Sequence, residues 1–600
     1  MRLPWLNVSA ALLAAAVPAA AQTLLPEFQV LGARVANPTP VGTIEMPVSA
    51  LRYEPRVDVQ ARNLAETQAD VAIRGGLFEG TGFQVGGAPL PDPQTGHYAA
   101  ELPVPPAMLA PPAVSTGLAN AVSGFQATAG TIRYGWRRIV PGGAVAAAVG
   151  SDGYHRQSVR VAAAVRDGWA ADAEWARSEG DGSLPGGDHE FSRVAGRIQW
   201  SRGGHQLDLF AGYQAKFFGW PNLYTPFGFN ETENLQTVLL LANHRWTGSD
   251  GAWFEVSAFR RRHKDDYEFN RAVPGASNPF LHTTWVDGAT AAGRWVAGAF
   301  AVVASGAVVT DRIESTALTF GRFRDRRLAK FSAVPEWTGS HARGQWVARA
   351  GASVDDSNRD GTVGSPVAGF EWRQGPWTAY AEHARSAQLP TYTALNSSAT
   401  AGLFRGNPAL GWTRSENTEA GYRGSFRGWQ GEFAVFERRD RDLVDWTFRR
   451  GVVARTANPV DTRTRGIEAV VTRRTEALEV VLGYSRLAKW SDYRGAAVDA
   501  SFYALNFPRD RATAAITWRF APGWELRSDN EYRRQGPNFL RLVGGNEAWL
   551  SSLGLSFAPR QLRGWEFTAM VDNLWRSDFQ EVPAVPAAGR QWAVGATRRW

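Results

Sequence analysis

The 600-residue chain contains no cysteine, four methionines and four lysines, at Lys216, Lys264, Lys330 and Lys489. The missing cysteines remove disulfides and thiol chemistry, and they suit passage through an oxidising compartment. Beyond the first residues there is no run of about 18 apolar residues, so no helix is available to cross a bilayer. A secreted chain without such a helix can still span a membrane as a closed β-barrel, where every backbone group is paired. Enzyme signatures are missing as well: there is no G-x-S-x-G, no H-E-x-x-H and no G-x-x-x-x-G-K-[ST]. The sequence reads as a non-enzyme with no cofactor.

What is abundant is arginine, glycine and tryptophan. The net charge of +8 and the pI of about 9.8 come almost wholly from arginine, while Gly 62 and Trp 25 are high and mean hydropathy is −0.28. The arginines are scattered through alternating segments and form no single basic patch. They read as lumen, rim and lipid-headgroup contacts, with no nucleic-acid partner. Met1–Ala21 has the layout of a signal peptide: Arg2, an apolar stretch over Ala10–Val17, and Ala19-Ala20-Ala21 before Gln22.

From about Gly142 the chain becomes a long series of alternating strands. Val194, Gly196, Ile198 and Trp200 share one face against Arg193, Arg197 and Gln199. Leu207, Leu209, Ala211 and Tyr213 oppose Asp208 and Gln214, and Leu478, Val480, Leu482 and Tyr484 oppose Glu479 and Ser485. Alternation alone also fits a soluble sandwich. The spacing of the connections separates the two. Short turns at 166–168, 202–204, 247–251, 374–376, 427–428 and 521–523 interleave with long loops expected at 179–189, 218–233, 263–281, 388–414, 440–464, 489–509 and 574–589. Short turns on one side and long loops on the other mark outer-membrane barrels. Counting hairpins gives about 22 strands, the number at which a lumen is wide and plugged. The last strand places Trp592, Val594, Ala596 and Trp600 on one face.

Ahead of the hairpins lies a Gly-rich strand-and-turn module. Asp70–Gly76 (DVAIRGG), Gly80–His97 (GTGFQVGGAPLPDPQTGH) and Gly117–Tyr134 (GLANAVSGFQATAGTIRY), together with Gly406–Arg423 and Val582–Trp600, resemble TonB-dependent outer-membrane receptors. The resemblance covers nearly the whole mature chain. It implies an all-β membrane protein: a 22-stranded antiparallel barrel with a small N-terminal α/β plug in its lumen. The expected divisions are a signal peptide at 1–21, a flexible N-terminal segment at 22–56, a plug at 57–138 and a barrel at 139–600. It further implies a monomer in the outer membrane of a Gram-negative bacterium, in contact with outer-membrane lipid. Such a receptor takes up a scarce large solute, such as a ferric siderophore or a corrinoid, and its partner is an inner-membrane TonB complex. Pro26–Val35 resembles the TonB box, with Glu27, Phe28, Gln29, Val30 and Leu31 as the residues that add as a strand to the partner. A passive porin and a secreted β-rich binding protein stay open as alternatives.

Plug tips at Leu77–Thr81 and Pro89–His97 are expected to face an outer vestibule, making Phe78, Glu79, Asp92, Gln94 and His97 candidate ligand contacts. Trp220 and Tyr224 join them from Phe217–Asn234, a loop rich in aromatics and amides, although girdle and loop packing accounts for such residues more simply. Asp356–Gly361 matches half of a calcium loop, but Val367 stands where a bidentate Glu is required, so a connection between strands is expected. His263–Asp266 and Gly187–Glu190 put His beside carboxylates and read as solvated loop polarity in place of metal ligands.

Overall fold

A computed structural model describes residues 32–62, 66–276, 280–321, 323–452 and 454–600. The signal peptide expected at 1–21 and the segment Glu27–Leu31 lie outside the described residues.

From Gly142 to Arg599, 22 antiparallel strands close on themselves. The last, Gln591–Arg599, pairs with the first, Gly142–Gly150, through the register Ala593↔Gly150 to Arg599↔Ala144. Closure leaves no unpaired edge, which lipid could not satisfy. The alternation seen in the sequence becomes an inside-out protein. Val194, Ile198, Leu209, Tyr213, Leu482 and Tyr484 are exposed on the outer wall, whereas Arg193, Arg197, Gln199, Asp208, Gln214 and Ser485 are buried in the lumen. An even strand count puts both barrel ends on one side, together with the short turns at 167–168, 203–204, 375–376, 427–428 and 522–523.

Strands on the other side run further than the sequence suggests. The loops expected at 218–233, 263–281 and 440–464 are partly strand: His205–Pro221, Asn230–Thr247, Trp253–Glu268, Phe280–Ala297, Trp429–Phe448 and Arg455–Arg474 reach into them. A strand needs only about 9–11 residues to cross lipid. Beyond that height both faces meet polar surroundings, so the apolar alternation that marks a strand disappears. For the same reason His263–Asp266 and His189–Glu190 are strand residues, not loop residues, and His189, His263 and Asp265 are buried. The residues after Asp356–Ser357 make the tight connection at 358–360 between Gly344–Ser357 and Gly361–Gln374.

Inside the cylinder sits the N-terminal module. A five-stranded sheet has Thr81–Val85 parallel to Gly130–Tyr134, flanked by Ala88–Pro89, Ala113–Ser115 and Ala33–Arg34, and Val57–Ala61 pairs separately with Ala69–Ile73. One helix, Gly117–Ser123, packs toward the wall. Past the end of Ala69–Ile73 the chain turns away where Arg74 and Gly75 take φ of 50° and 65°. At Gly76 an added Cβ would stand 2.5 Å from Cβ of Ala129, so the approach tolerates only glycine.

The segment expected as a flexible lead is packed from Gly32 onward, with Val35, Val41, Ile44, Met46, Val48 and Leu51 buried. Its prolines remove periodicity without removing apolar side chains, and the lumen wall supplies the hydrogen bonds. Asp529 accepts from Asn37 Nδ2 at 2.8 Å and from the Val41 amide at 2.5 Å, and Asp572 accepts from the amide and hydroxyl of Thr43, both at 2.8 Å. This strap rises along the wall from Ala36, whose carbonyl meets Arg474 near the short-turn side, to Thr43, whose carbonyl accepts from Tyr154 near the long-loop side.

Candidate functional site

Two plug turns meet at the long-loop end of the lumen. One is the short 3-10 turn Phe78–Gly80. The other is held by Asp92, whose carboxylate accepts from the amides of Gln94 (3.1 Å) and Tyr98 (3.1 Å) and closes the proline-rich loop on itself. The Phe78 and His97 rings stack at 4.3 Å, and His97 Nδ1 lies 2.7 Å from Asp70. Arg62 Nη1 pairs with the other Asp70 oxygen at 2.9 Å. Burial alone would raise the Asp70 carboxyl, but Arg62 and His97 outweigh it and bring it down to about 2. Among the described residues Glu79 has no cation beside it, and desolvation, against a hydrogen bond from Trp446, pushes its carboxyl up to about 8.

Side chains from the barrel's outer loops cover these tips. Tyr503 meets Phe78 edge-on at 4.9 Å and His97 at 5.7 Å; Tyr224 lies 5.3 Å from His97 and under Arg62 at 4.9 Å. Glu231 fixes Tyr224 by accepting its amide at 2.8 Å and also takes the Tyr267 hydroxyl at 2.8 Å. A short helix, Tyr392–Asn396, presses its first amides onto the plug: Tyr392 donates to the Pro93 carbonyl at 2.8 Å and Thr393 to that of Gln94 at 2.9 Å. Leu77 and Phe78 thereby join one apolar cluster with Leu395, Trp446, Phe502 and Leu540 from the loops. The tips expected to face an outer vestibule lie at the long-loop end, where these loop side chains roof them over.

The candidate contacts divide accordingly. Phe78, His97 and Tyr224 come together, with Glu79 beside Phe78 and half-buried. Asp92 shapes its own loop, and Gln94 donates to Asp265 on the wall at 2.5 Å. Trp220 is fully buried in a separate loop seam with Leu223, Val582 and Val585, its indole N–H donating to the Pro586 carbonyl at 2.9 Å.

Sequence reasoning missed Arg62, Arg455 and Tyr503. Arg455 is buried with its guanidinium 3.4 Å over the Phe502 ring, and among the described residues it has no ion-pair partner. Arg62 Nη2 is likewise buried without an acceptor among the described residues. Neither residue carries a local pattern: the ring under Arg62 is Tyr224, 162 positions on, and the ring under Arg455 is Phe502, 47 positions on.

A second junction lies deeper. Arg74, at its strained turn, donates Nη1 to Glu419 at 2.5 Å and Nη2 to Glu468 at 2.5 Å, both on the wall. Burial opposes the charge, yet the two carboxylates outweigh it and hold the pKa well above the ordinary arginine value. Further clamps are Lys216 on Glu101 at 2.8 Å and Arg533 on Asp58 at 2.9 Å.

Residues 119–574 match the family model described as TonB dependent receptor-like, beta-barrel. No curated protein matches the sequence. Among solved structures, the FrpB iron transporter of Neisseria meningitidis (F3-3 variant) is similar at a TM-score of 0.74 and 13% identity, covering 95% of this chain and 100% of that one. The copper transporter OprC gives 0.72 and 14%, with 95% and 100% covered. The siderophore receptor PirA of Pseudomonas aeruginosa gives 0.66 and 14%, with 91% and 99% covered. At these identities the likeness is one of fold.

Proposed function

The chain belongs to the TonB-dependent receptor family of Gram-negative outer membranes, and from that premise we propose that it takes up an anionic metal chelate, such as a ferric siderophore, by TonB-driven movement of its plug. The observation that carries this reading is the pair of buried guanidinium groups at the roofed tips. Arg62 Nη2 is buried without an acceptor and Arg455 is buried without an ion-pair partner among the described residues, and the two stand among Tyr224, Phe502 and Tyr503. Buried donors left unspent cost free energy, and an acidic ligand that enters as the loops open relieves that cost. Aromatic rings beside them suit stacking on a ligand's flat or apolar parts.

In this reading the solute binds first, at the outer loops and plug tips. The inner-membrane partner then pairs with the segment Glu27–Leu31 and pulls. Tension reaches the strap at Ala36–Thr43, whose grips on Asp529 and Asp572 are next in line, and the plug shifts to open a path. No nucleotide acts on the chain itself. The similar structures are those of a siderophore receptor, an iron transporter and a copper transporter, which supports a metal cargo over a corrinoid.

The test is a panel of ferric siderophores, a corrinoid and uncharged oligosaccharides added to the purified receptor and read by tryptophan quenching, which 25 Trp make sensitive. An anionic ferric chelate is expected to bind, and Arg455→Gln to weaken it by tenfold or more. Binding of only an uncharged solute, or no effect of Arg455→Gln, overturns the reading.

A further inference from the structure

Nine histidines are spread along the chain, and two of them meet on the outer wall at its short-turn end. His205 follows the turn at 203–204 and opens the strand His205–Pro221. His244 lies near the foot of the neighbouring strand Asn230–Thr247, just above the turn at 248–252. The register sets His205 against Trp246 and Leu207 against His244, so the two histidines are diagonal neighbours on one face. That face is the outward one, since Leu209 and Leu240 share its alternation and are exposed on the lipid side.

Nδ1 of His205 and Nε2 of His244 stand 3.2 Å apart. The two rings are close to parallel, with centroids 5.4 Å apart and planes 22° apart. Trp200 and Trp246 flank the His205 ring, each with its centroid 6.3 Å away, so packing restricts how that imidazole can turn. Both histidines are half-buried.

A neutral imidazole has one N–H and one lone pair, and at neutral pH the uncharged form is the ordinary one. In the pair as it stands, one of the two facing nitrogens donates to the other. If that donor takes its other tautomer, both lone pairs face the same gap. Metal–nitrogen bonds of about 2.0–2.1 Å place two bound nitrogens about 2.9 Å apart at a right angle and about 3.3 Å apart at a tetrahedral one. The observed separation falls between those two values.

The surroundings select the class of ion. In register with His205 are Arg202 and Trp246, and in register with His244 are Leu207 and Val256. Arg202 is exposed at the turn, and no carboxylate is in register with either histidine. A donor set of imidazole nitrogen without carboxylate suits copper, nickel and zinc, and offers little to magnesium or calcium.

We propose that His205 and His244 form a binding site for a divalent transition-metal ion of the copper, nickel or zinc class, with water in its remaining positions. Two protein ligands leave the ion open and exchangeable. The ion ties together the short-turn ends of two strands whose own chain connection is the long loop at the other end. The site lies on the lipid side of the wall, away from the roofed tips, and is independent of which solute is carried.

The experiment uses the full chain, purified in detergent without a histidine tag and freed of metal by a chelator. Cu2+ is titrated by calorimetry, with Ni2+, Zn2+ and Mg2+ as competitors, and the Cu2+ complex is examined by electron paramagnetic resonance. Cu2+ is expected to bind with hyperfine structure from two nitrogens, and Ni2+ and Zn2+ to compete where Mg2+ does not. H205N and H244N are each expected to weaken binding by about tenfold or more. H341N, at an exposed histidine elsewhere on the barrel, is expected to bind as the parent does. Absence of Cu2+ binding, or unchanged binding in either folded variant, overturns the proposal. Should a variant lose heat-modifiable mobility, the parent's spectrum decides: fewer than two coupled nitrogens rejects the site.

Discussion

At the scale of single residues, the plug is held by charges whose partners sit on the wall. Replacing Arg74 by Gln leaves Glu419 and Glu468 buried without their cation, a change worth about 3–5 kcal/mol in comparable buried pairs. The expected outcome is a lower urea midpoint for the plug, followed by hydrogen exchange over residues 57–74, with the barrel's heat-modifiable mobility retained. Glu79 offers a pH test. Its carboxyl keeps its proton in the folded receptor up to about 8, whereas in an unfolded plug it ionises near the ordinary value of about 4.3. The folded state therefore binds more protons between those values, and plug stability falls as pH rises through that window. Asp70 acts oppositely. Held down to about 2, it adds stability above its unfolded value and loses it as pH falls from about 4 toward 2. In Glu79→Gln the decline between about pH 4.5 and 8 should flatten, measured as the urea midpoint of the plug against pH; an unchanged slope would remove Glu79 as its source. The charge of Arg74 was visible in the sequence as part of a Gly-rich turn, but its two acceptors lie 345 and 394 positions away, and no local pattern reports such a distance.

At the scale of elements, legibility followed the lipid. Strands within the membrane alternate because one face meets hydrocarbon and the other a packed polar lumen, so Val194–Ile198 and Leu207–Tyr213 could be assigned face by face. Strand ends above the membrane, such as His263–Glu268, have polar surroundings on both faces and were mistaken for loops. The helix Tyr392–Asn396 was missed because five residues are too few to show a period. The strap at 36–43 was read as loose because its stability comes wholly from the wall. Asp529 and Asp572 grip its backbone, so changing both to Asn removes two charged acceptors while keeping their shape. Hydrogen exchange at the Val41 and Thr43 amides should then quicken by tenfold or more, with the amides of the Thr81–Val85 strand unaffected. Equal exchange in parent and variant would show that the strap is held by its apolar contacts alone.

At the scale of the whole molecule, the described residues of the N-terminal module fill the lumen of a closed cylinder. The short turns, both barrel ends and the lower end of the strap share one side, while the roofed tips, Arg62 and Arg455 occupy the other. Under the proposed function, a ligand and a pulling partner would act from opposite faces on the same N-terminal module, and its displacement would connect them. Barrel, strand number and plug position were legible because hairpin spacing repeats over more than four hundred residues; the roof was not, because loops that meet across a lumen leave no periodic trace. The most direct test is uptake of a radio-iron siderophore panel by cells carrying this receptor as their sole outer-membrane route, with Glu27–Leu31 intact or deleted. Cells with the deletion should bind the label at their surface as well as the parent does and accumulate none of it. Full accumulation without that segment would contradict the account.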